Sequence, residues 1–210
     1  MRNELGLPIV LASTSPRRLD LLKQIGLLCY LEPPLTDEKI RPGEKALLLV
    51  QRLAFEKAES ACSRAAQKYD RGVILAADTV VVAPGGQRIL GKPKDQLDAQ
   101  QMLERLSGKW HSVLTGYCLL SFGTKKRKKC LRAVISKVKM RPLSLDLIQG
   151  YLAMGESMDK AGAYAVQGRG AALIERLEGS YTNVVGLPLT ELVVDLEKFD
   201  VRVFSCNRAL

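Results

Sequence analysis

The chain has 210 residues, 47% of them hydrophobic and 26% charged, which excludes overall disorder and suits one domain, or two small lobes on a shared core. Its formal net charge of +10, from 32 basic and 22 acidic side chains, attracts anions (phosphates, nucleotides, nucleic acid or acidic membranes) without choosing among them. The cysteines at 29, 62, 118, 130 and 206 are odd in number and form no CxxC pair, which argues against a zinc site or a disulfide framework and for thiols in a reducing compartment.

The opening residues, Met1 to Leu7, are polar and do not read as a signal peptide. No stretch approaches the roughly 20 apolar residues of a membrane span, so the expectation is a cytoplasmic protein without a membrane partner. Ile9-Val10-Leu11-Ala12 predicts a short buried strand, broken by Ser13-Thr14-Ser15-Pro16. Leu19, Leu22 and Ile25 then recur at helical spacing, with Ser15 placed as N-cap, Pro16 at the first helical position and Gly26 as the stop. Pro33-Pro34 marks a loop carrying Asp37 and Glu38. A long helix is predicted over about 43–69, with Leu49, Val50, Leu53, Ala54, Ala58 and Ala61 on its apolar face.

Residues 73–82 read as a strand interrupted by Ala76-Ala77-Asp78-Thr79, and Pro84-Gly85-Gly86 as a turn before a returning strand at 88–90. A helix over 95–106, two antiparallel strands at 111–122 and 130–141, and a helix over 142–154 follow. The basic run Lys125-Lys126-Arg127-Lys128-Lys129 falls at the tip of that strand pair. It reads as a solvated hairpin end; a nucleic-acid contact is the alternative, but no aromatic residues are interleaved to stack bases. A Gly- and Ala-rich segment at 159–170, a strand at 173–177, a turn at Gly179-Ser180 and a last helix over 186–199 complete the chain. Mixed strands, hairpins and helices predict an α/β fold: a mixed twisted sheet flanked by helices.

Four places could carry chemistry. Ser13-Thr14-Ser15-Pro16-Arg17-Arg18 joins a strand to a helix start, where free backbone N–H groups and a partial positive charge suit phosphate. Arg17 and Arg18 oppose the helix dipole there, as if an anion compensates them; a capped helix with surface arginines is the bland alternative. The segment lacks the glycines and lysine of a Walker A loop. Asp78, a carboxylate inside an apolar strand, needs a cation, a proton or a metal beside it, and reads as a water-activating base, a metal ligand or a structural acid bonded to loop amides. Glu38, Lys57 and Lys92 sit at element ends or on a helix, and taken singly each reads as a surface residue. In the segment Asp159 to Gly168, small residues let a ligand approach the backbone. Gln167 could read a base edge, and Lys160 could meet phosphate or pair with Asp159; a tight structural connection is the alternative. His111, the single histidine, reads as structural.

Taken together these segments resemble the Maf family of nucleotide pyrophosphatases, almost end to end. The matching pieces are Leu11 to Arg18, Thr36-Asp37-Glu38, Arg52-Leu53-Ala54 with Lys57-Ala58, Ala77 to Val81, Gly91-Lys92-Pro93, and His111 with Thr115-Gly116. Asp159 to Tyr164, Gln167-Gly168, Gly179-Ser180-Tyr181 and Val184 to Leu189 complete the match. The resemblance implies one domain over 1–210, of two lobes around a central cleft, like the inosine triphosphate pyrophosphatases. It also implies a homodimer and a divalent metal, Mg²⁺ or Mn²⁺. One group of the family acts on dTTP and UTP, sometimes on CTP and modified pyrimidine nucleotides, and another on 7-methyl-GTP. Ala77-Asp78-Thr79, Ala161 to Tyr164 and Gln167-Gly168 are similar to the first group; the second has Gln after the Asp and Glu-Gly for Gln-Gly.

By carry-over Asp78 is the proton acceptor, and Arg17, Thr79 and Gln167 bear on base specificity. Ser13, Arg18, Glu38, Lys57 and Lys92 line the phosphate and metal end, with Ser15 and Lys160 as further phosphate ligands. The implied reaction is attack of water at the α-phosphorus with loss of pyrophosphate, Asp78 and Glu38 holding the metal; whether Asp78 is base, ligand or both stays open. Two rivals remain. One is a non-enzymatic nucleotide- or nucleic-acid-binding regulator of septum formation, a process to which members of the family have been tied. The other is an inosine triphosphate-type enzyme.

Overall fold

A computed structural model describes residues 7–204. Residues 1–6 of the segment weighed as a leader, and Cys206, lie outside the described residues. Among the described residues no helix is long and apolar enough to cross a membrane.

The chain opens with β1 (Ile9–Ala12), α1 (Pro16–Gln24), the two-residue strand β2 (Tyr30–Leu31) and the long helix α2 (Ala46–Lys68). Then come β3 (Gly72–Val82), β4 (Ile89–Leu90), α3 (Gln96–Leu106), β5 (Trp110–Phe122), β6 (Lys129–Met140) and α4 (Leu145–Ala153). Two 3-10 turns (Ala161–Ala163 and Gly168–Leu173), β7 (Ile174–Glu178), α5 (Tyr181–Val185) and α6 (Leu189–Glu197) finish it. The seven strands form one mixed sheet in the order β2-β1-β3-β5-β6-β7, with β4 also on β3. The β1 strand runs parallel to β2 and β3; all other pairings are antiparallel. The mixed sheet flanked by helices is the fold class read from the sequence.

Several boundaries differ from the sequence reading. The expected interruption at 76–79 is not one: β3 pairs with β5 without a break from Gly72 to Val82. The terminal helix predicted over 186–199 begins only at Leu189, as α6, because Gly186 takes φ 129° and Pro188 has no N–H to join a helix interior; the short α5 before it is a separate helix that the sequence reading did not give. At α1, Ser15 is the N-cap residue, but its side chain makes no capping bond; its backbone N–H instead donates to Ser13 Oγ at 3.1 Å. The predicted stop at Gly26 holds. Gly26 N–H bonds the Lys23 carbonyl and Leu27 N–H that of Leu22, both at 2.9 Å, with Gly26 at φ 73°.

Alternation along β3 sorts the core by face. Val73, Leu75 and Ala77 pack with α1 and α6, and Val81 packs with α3 and α4. Ile74, Ala76, Val80 and Val82 turn to the other face, which α2 covers with Leu49, Val50, Leu53, Ala54, Ala58, Ala61 and Ala65. The helix comes close because Gly116 on β5 has no side chain: a Cβ there would lie 2.4 Å from the Val50 carbonyl oxygen. One edge of β3 is covered throughout by β5. On the other edge β1 pairs with 73–76 and β4 with 81–82. Among the described residues no strand covers 77–80 on that edge, and the site opens there.

Candidate active site

The gap between β1 and β4 is the floor of a cleft of about 390 Å³, within the roughly 300–1,000 Å³ range of small-molecule sites. Its wall includes every residue expected to bind phosphate or metal or to read the base: Ser13, Ser15, Arg17, Arg18, Glu38, Lys57, Asp78, Thr79, Lys92, Lys160 and Gln167. The 13–18 loop follows the carboxyl end of β1 and Gly91-Lys92 follows β4, so both flank the gap.

Asp78 and Thr79 are consecutive on β3 and therefore turn to opposite faces of the sheet. Asp78, 6% exposed, faces α2. Lys57 lies two helical turns beyond Val50, on the stripe that meets the sheet at Gly116, and is itself buried. Its Nζ donates to Asp78 Oδ1 at 2.6 Å and lies 2.6 Å from Glu38 Oε1. Two carboxylates thus converge on one cation. Burial works to raise the pKa of Glu38, but the Lys57 hydrogen bond and the charges of Lys57, Lys92 and Arg18 outweigh it and hold the carboxyl below its ordinary value. Among the described residues no three or more His, Cys, Asp or Glu side chains gather as a ready-made metal cage. Asp78 and Glu38 are the acids of the cleft that share one cation position.

On the other face, Arg18 is held by three of its five N–H groups. Nε donates to the Gly186 carbonyl at 2.9 Å, Nη1 to Ser13 Oγ at 3.2 Å and Nη2 to Thr79 Oγ1 at 3.1 Å. Two N–H groups remain for a ligand. Burial lowers the pKa of Arg18; Asp78 opposes this, Arg17 adds to it and Glu38 opposes it. Arg17 Nη1 meets Asp159 Oδ2 at 2.9 Å, tying α1 to the 159–170 segment across the mouth. Asp159 Oδ1 also accepts from Lys160 Nζ at 2.5 Å, and Lys160 donates to the Glu156 carbonyl at 2.6 Å. Partial burial would raise Asp159, yet these two cations hold it down at about 2. Lys160 therefore pairs with Asp159, one of its two expected roles. Gln167 lines the cleft with no hydrogen bond from its side chain to the described residues. An anion, an amide-reading group and a cation each find complementary side chains here.

The family model for Maf-like proteins matches residues 8–199. The chain belongs to the Maf family. Among its Maf relatives, the dTTP/UTP pyrophosphatase of Acetivibrio thermocellus is 48% identical over 200 residues, 94% of this chain and 98% of that protein. Those of Hahella chejuensis and Clostridioides difficile are each 45% identical, over 94% and 95% of this chain and 94% and 96% of their own lengths.

Some residues that build this Maf cleft were not singled out for a role from the sequence. Thr115, fully buried, stands opposite Thr79 in the β3–β5 register and hydrogen-bonds to it at 2.9 Å. Tyr164 lines the cleft, and its hydroxyl lies 2.6 Å from His111 Nε2, so the structural histidine holds a cleft wall. Asp159, expected only as a partner of Lys160, also pairs with Arg17. The signal for Thr115 was its place opposite Thr79, which only the register between strands reveals.

Proposed function

We propose that this chain hydrolyses dTTP and UTP to the nucleoside monophosphate and pyrophosphate. The observation that carries this reading is the joint presence, in one cleft, of Arg17, Arg18, Lys57, Lys92 and Lys160 with the paired acids Asp78 and Glu38. The names of the Maf relatives support the substrate. A water oxygen forms a bond to the α-phosphorus, and the bond from that phosphorus to the α–β bridging oxygen breaks. The electron pair leaves with pyrophosphate, and the water proton passes to Asp78. Such a reaction needs alignment and charge neutralisation more than covalent chemistry. Arg18, immobilised by three hydrogen bonds, binds phosphate oxygens without reorganising. Arg17, Lys57 and Lys92 add charge, Ser13 and Ser15 orient, and Thr79 and Gln167 face the base.

The donor set fits a divalent cation such as Mg²⁺ or Mn²⁺. Hard ions of that kind take one or two carboxylates and complete their shell with phosphate and water, and Asp78 and Glu38 already converge on one cation. When bound, the ion supplies neutralisation of the phosphate charge. The family resemblance further supports one domain of two lobes over 1–210, a homodimer and a cytoplasmic location.

The alternative of a nucleic-acid-binding regulator is not favoured. Arg127 pairs with Glu59, Lys128 with Asp200, and Lys129 lies over the Phe55 ring, and no residue of the basic tip lines the cleft. The test is purified protein with Mg²⁺ against a panel of nucleoside triphosphates including 7-methyl-GTP and inosine triphosphate, scoring pyrophosphate. Asp78→Asn is expected to lower turnover by roughly 10²–10⁴-fold while circular dichroism shows it folded. Full activity in that variant, or no preference for dTTP and UTP in the wild type, refutes the reading.

A further inference from the structure

Arg18, Thr79 and Thr115 form a hydrogen-bond chain whose direction its last member fixes. Thr115 Oγ1 lies 2.8 Å from the carbonyl oxygen of Asn183, in α5. A carbonyl can only accept, so the single hydroxyl proton of Thr115 points there. Thr79 Oγ1 is 2.9 Å from Thr115 Oγ1, and with the Thr115 proton committed, Thr79 donates across that contact. The reverse assignment would set lone pairs against each other between Thr115 and Asn183, at a side chain with no exposure to water. Arg18 Nη2, which has no acceptor capacity, donates to Thr79 Oγ1 at 3.1 Å. The proton and one lone pair of the Thr79 hydroxyl are therefore in use. Its half-buried side chain lines the cleft, and Gly186, whose missing Cβ would stand 3.6 Å from that oxygen, keeps the approach open.

We propose that Thr115 is a positioning residue that locks Thr79 as a hydrogen-bond acceptor toward the cleft, and that this favours bases carrying a ring N–H. Ionised phosphate oxygens offer only lone pairs and cannot bond such an oxygen. Uracil and thymine share an imide N3–H that can; cytosine presents a bare lone pair at N3 and is repelled. This deepens, and rests on, the dTTP/UTP reading. It accounts for one pocket accepting both bases, which differ at C5 and not at N3.

The experiment measures kcat/KM for UTP and CTP with Mg²⁺ in the wild type, Thr115→Val and Thr115→Ser. The wild type is expected to prefer UTP by about tenfold or more, the effect of one unpaired polar contact. In Thr115→Val the Thr79 hydroxyl is freed to rotate and donate to cytosine, so the ratio should collapse to within about threefold; Thr115→Ser should restore it. A general loss of structure would lower both substrates together and leave the ratio unmoved. Where the valine variant does not fold, Thr115→Ala is read in the same way. An unchanged UTP/CTP ratio in the folded variant, or a wild type that hydrolyses both equally, overturns the proposal. A wild type that releases pyrophosphate from no nucleotide overturns the underlying function instead.

Discussion

Lowering the pH from about 7.5 to about 4.5 should remove about 2.5 kcal/mol of stability through one side chain, His111. This histidine is 3% exposed. Its ring meets Tyr164 edge-on at 5.4 Å, and Nε2 lies 2.6 Å from the tyrosine hydroxyl. Burial lowers its pKa from 6.5 to about 4. The unfolded chain therefore takes up a proton near pH 6.5, while the folded chain stays neutral down to about 4. Stability from the neutral ring is complete above the unfolded value, declines as pH falls through that window, and levels off below about 4. The full span corresponds to about 3 kcal/mol. The chain has 1 histidine, so no other imidazole blurs the effect. Urea unfolding of wild type and His111→Gln at both pH values isolates it, because the carboxylates titrate alike in the two proteins. An NMR titration of the single imidazole gives the midpoint directly. Equal pH dependence in the two proteins, or a folded midpoint near 6.5, would refute the argument from burial.

Three further outcomes are expected. Lys57→Met leaves the Asp78 carboxylate buried without its cation and should cost about 3 kcal/mol in urea unfolding, alongside loss of turnover. Gly116→Ala drives a methyl into the Val50 carbonyl and should destabilise by about 3 kcal/mol, seen as a lower unfolding midpoint with little change in slope. Arg18→Lys keeps the charge but cannot hold Gly186, Ser13 and Thr79 together from one plane. Its kcat/KM should fall by about tenfold or more, with stability changed by no more than about 1 kcal/mol.

Local chemistry made much of this fold legible. Pro16 and Gly26 bracket α1, and the period of Leu49, Val50, Leu53 and Ala54 gives α2, because these signals act within a turn or two of helix. The two-residue β2 and five-residue α5 are too short to carry a period, and exist because neighbours hold them. Ala76-Ala77-Asp78-Thr79 looked like a break because its polar residues face a cleft; β5 keeps the strand intact regardless. The candidate site was legible where a charge stood inside an apolar pattern, as with Asp78; Lys57, read singly as a surface residue, is buried because it lies on the α2 stripe that meets the sheet. Thr115 and Gly116 were opaque as parts of the site, since their meaning depends on which residues of β3 and α2 lie across from them.

The uncovered stretch of β3 has a consequence for how such a cleft can drift. Between the ends of β1 and β4, the main-chain groups that 77–80 present sideways meet no strand among the described residues. Amides and carbonyls of that kind belong to the polymer and persist whatever side chain is exchanged. Substitutions around the rim can retune which nucleotide fits, while the slot itself endures until a neighbouring strand lengthens to fill it.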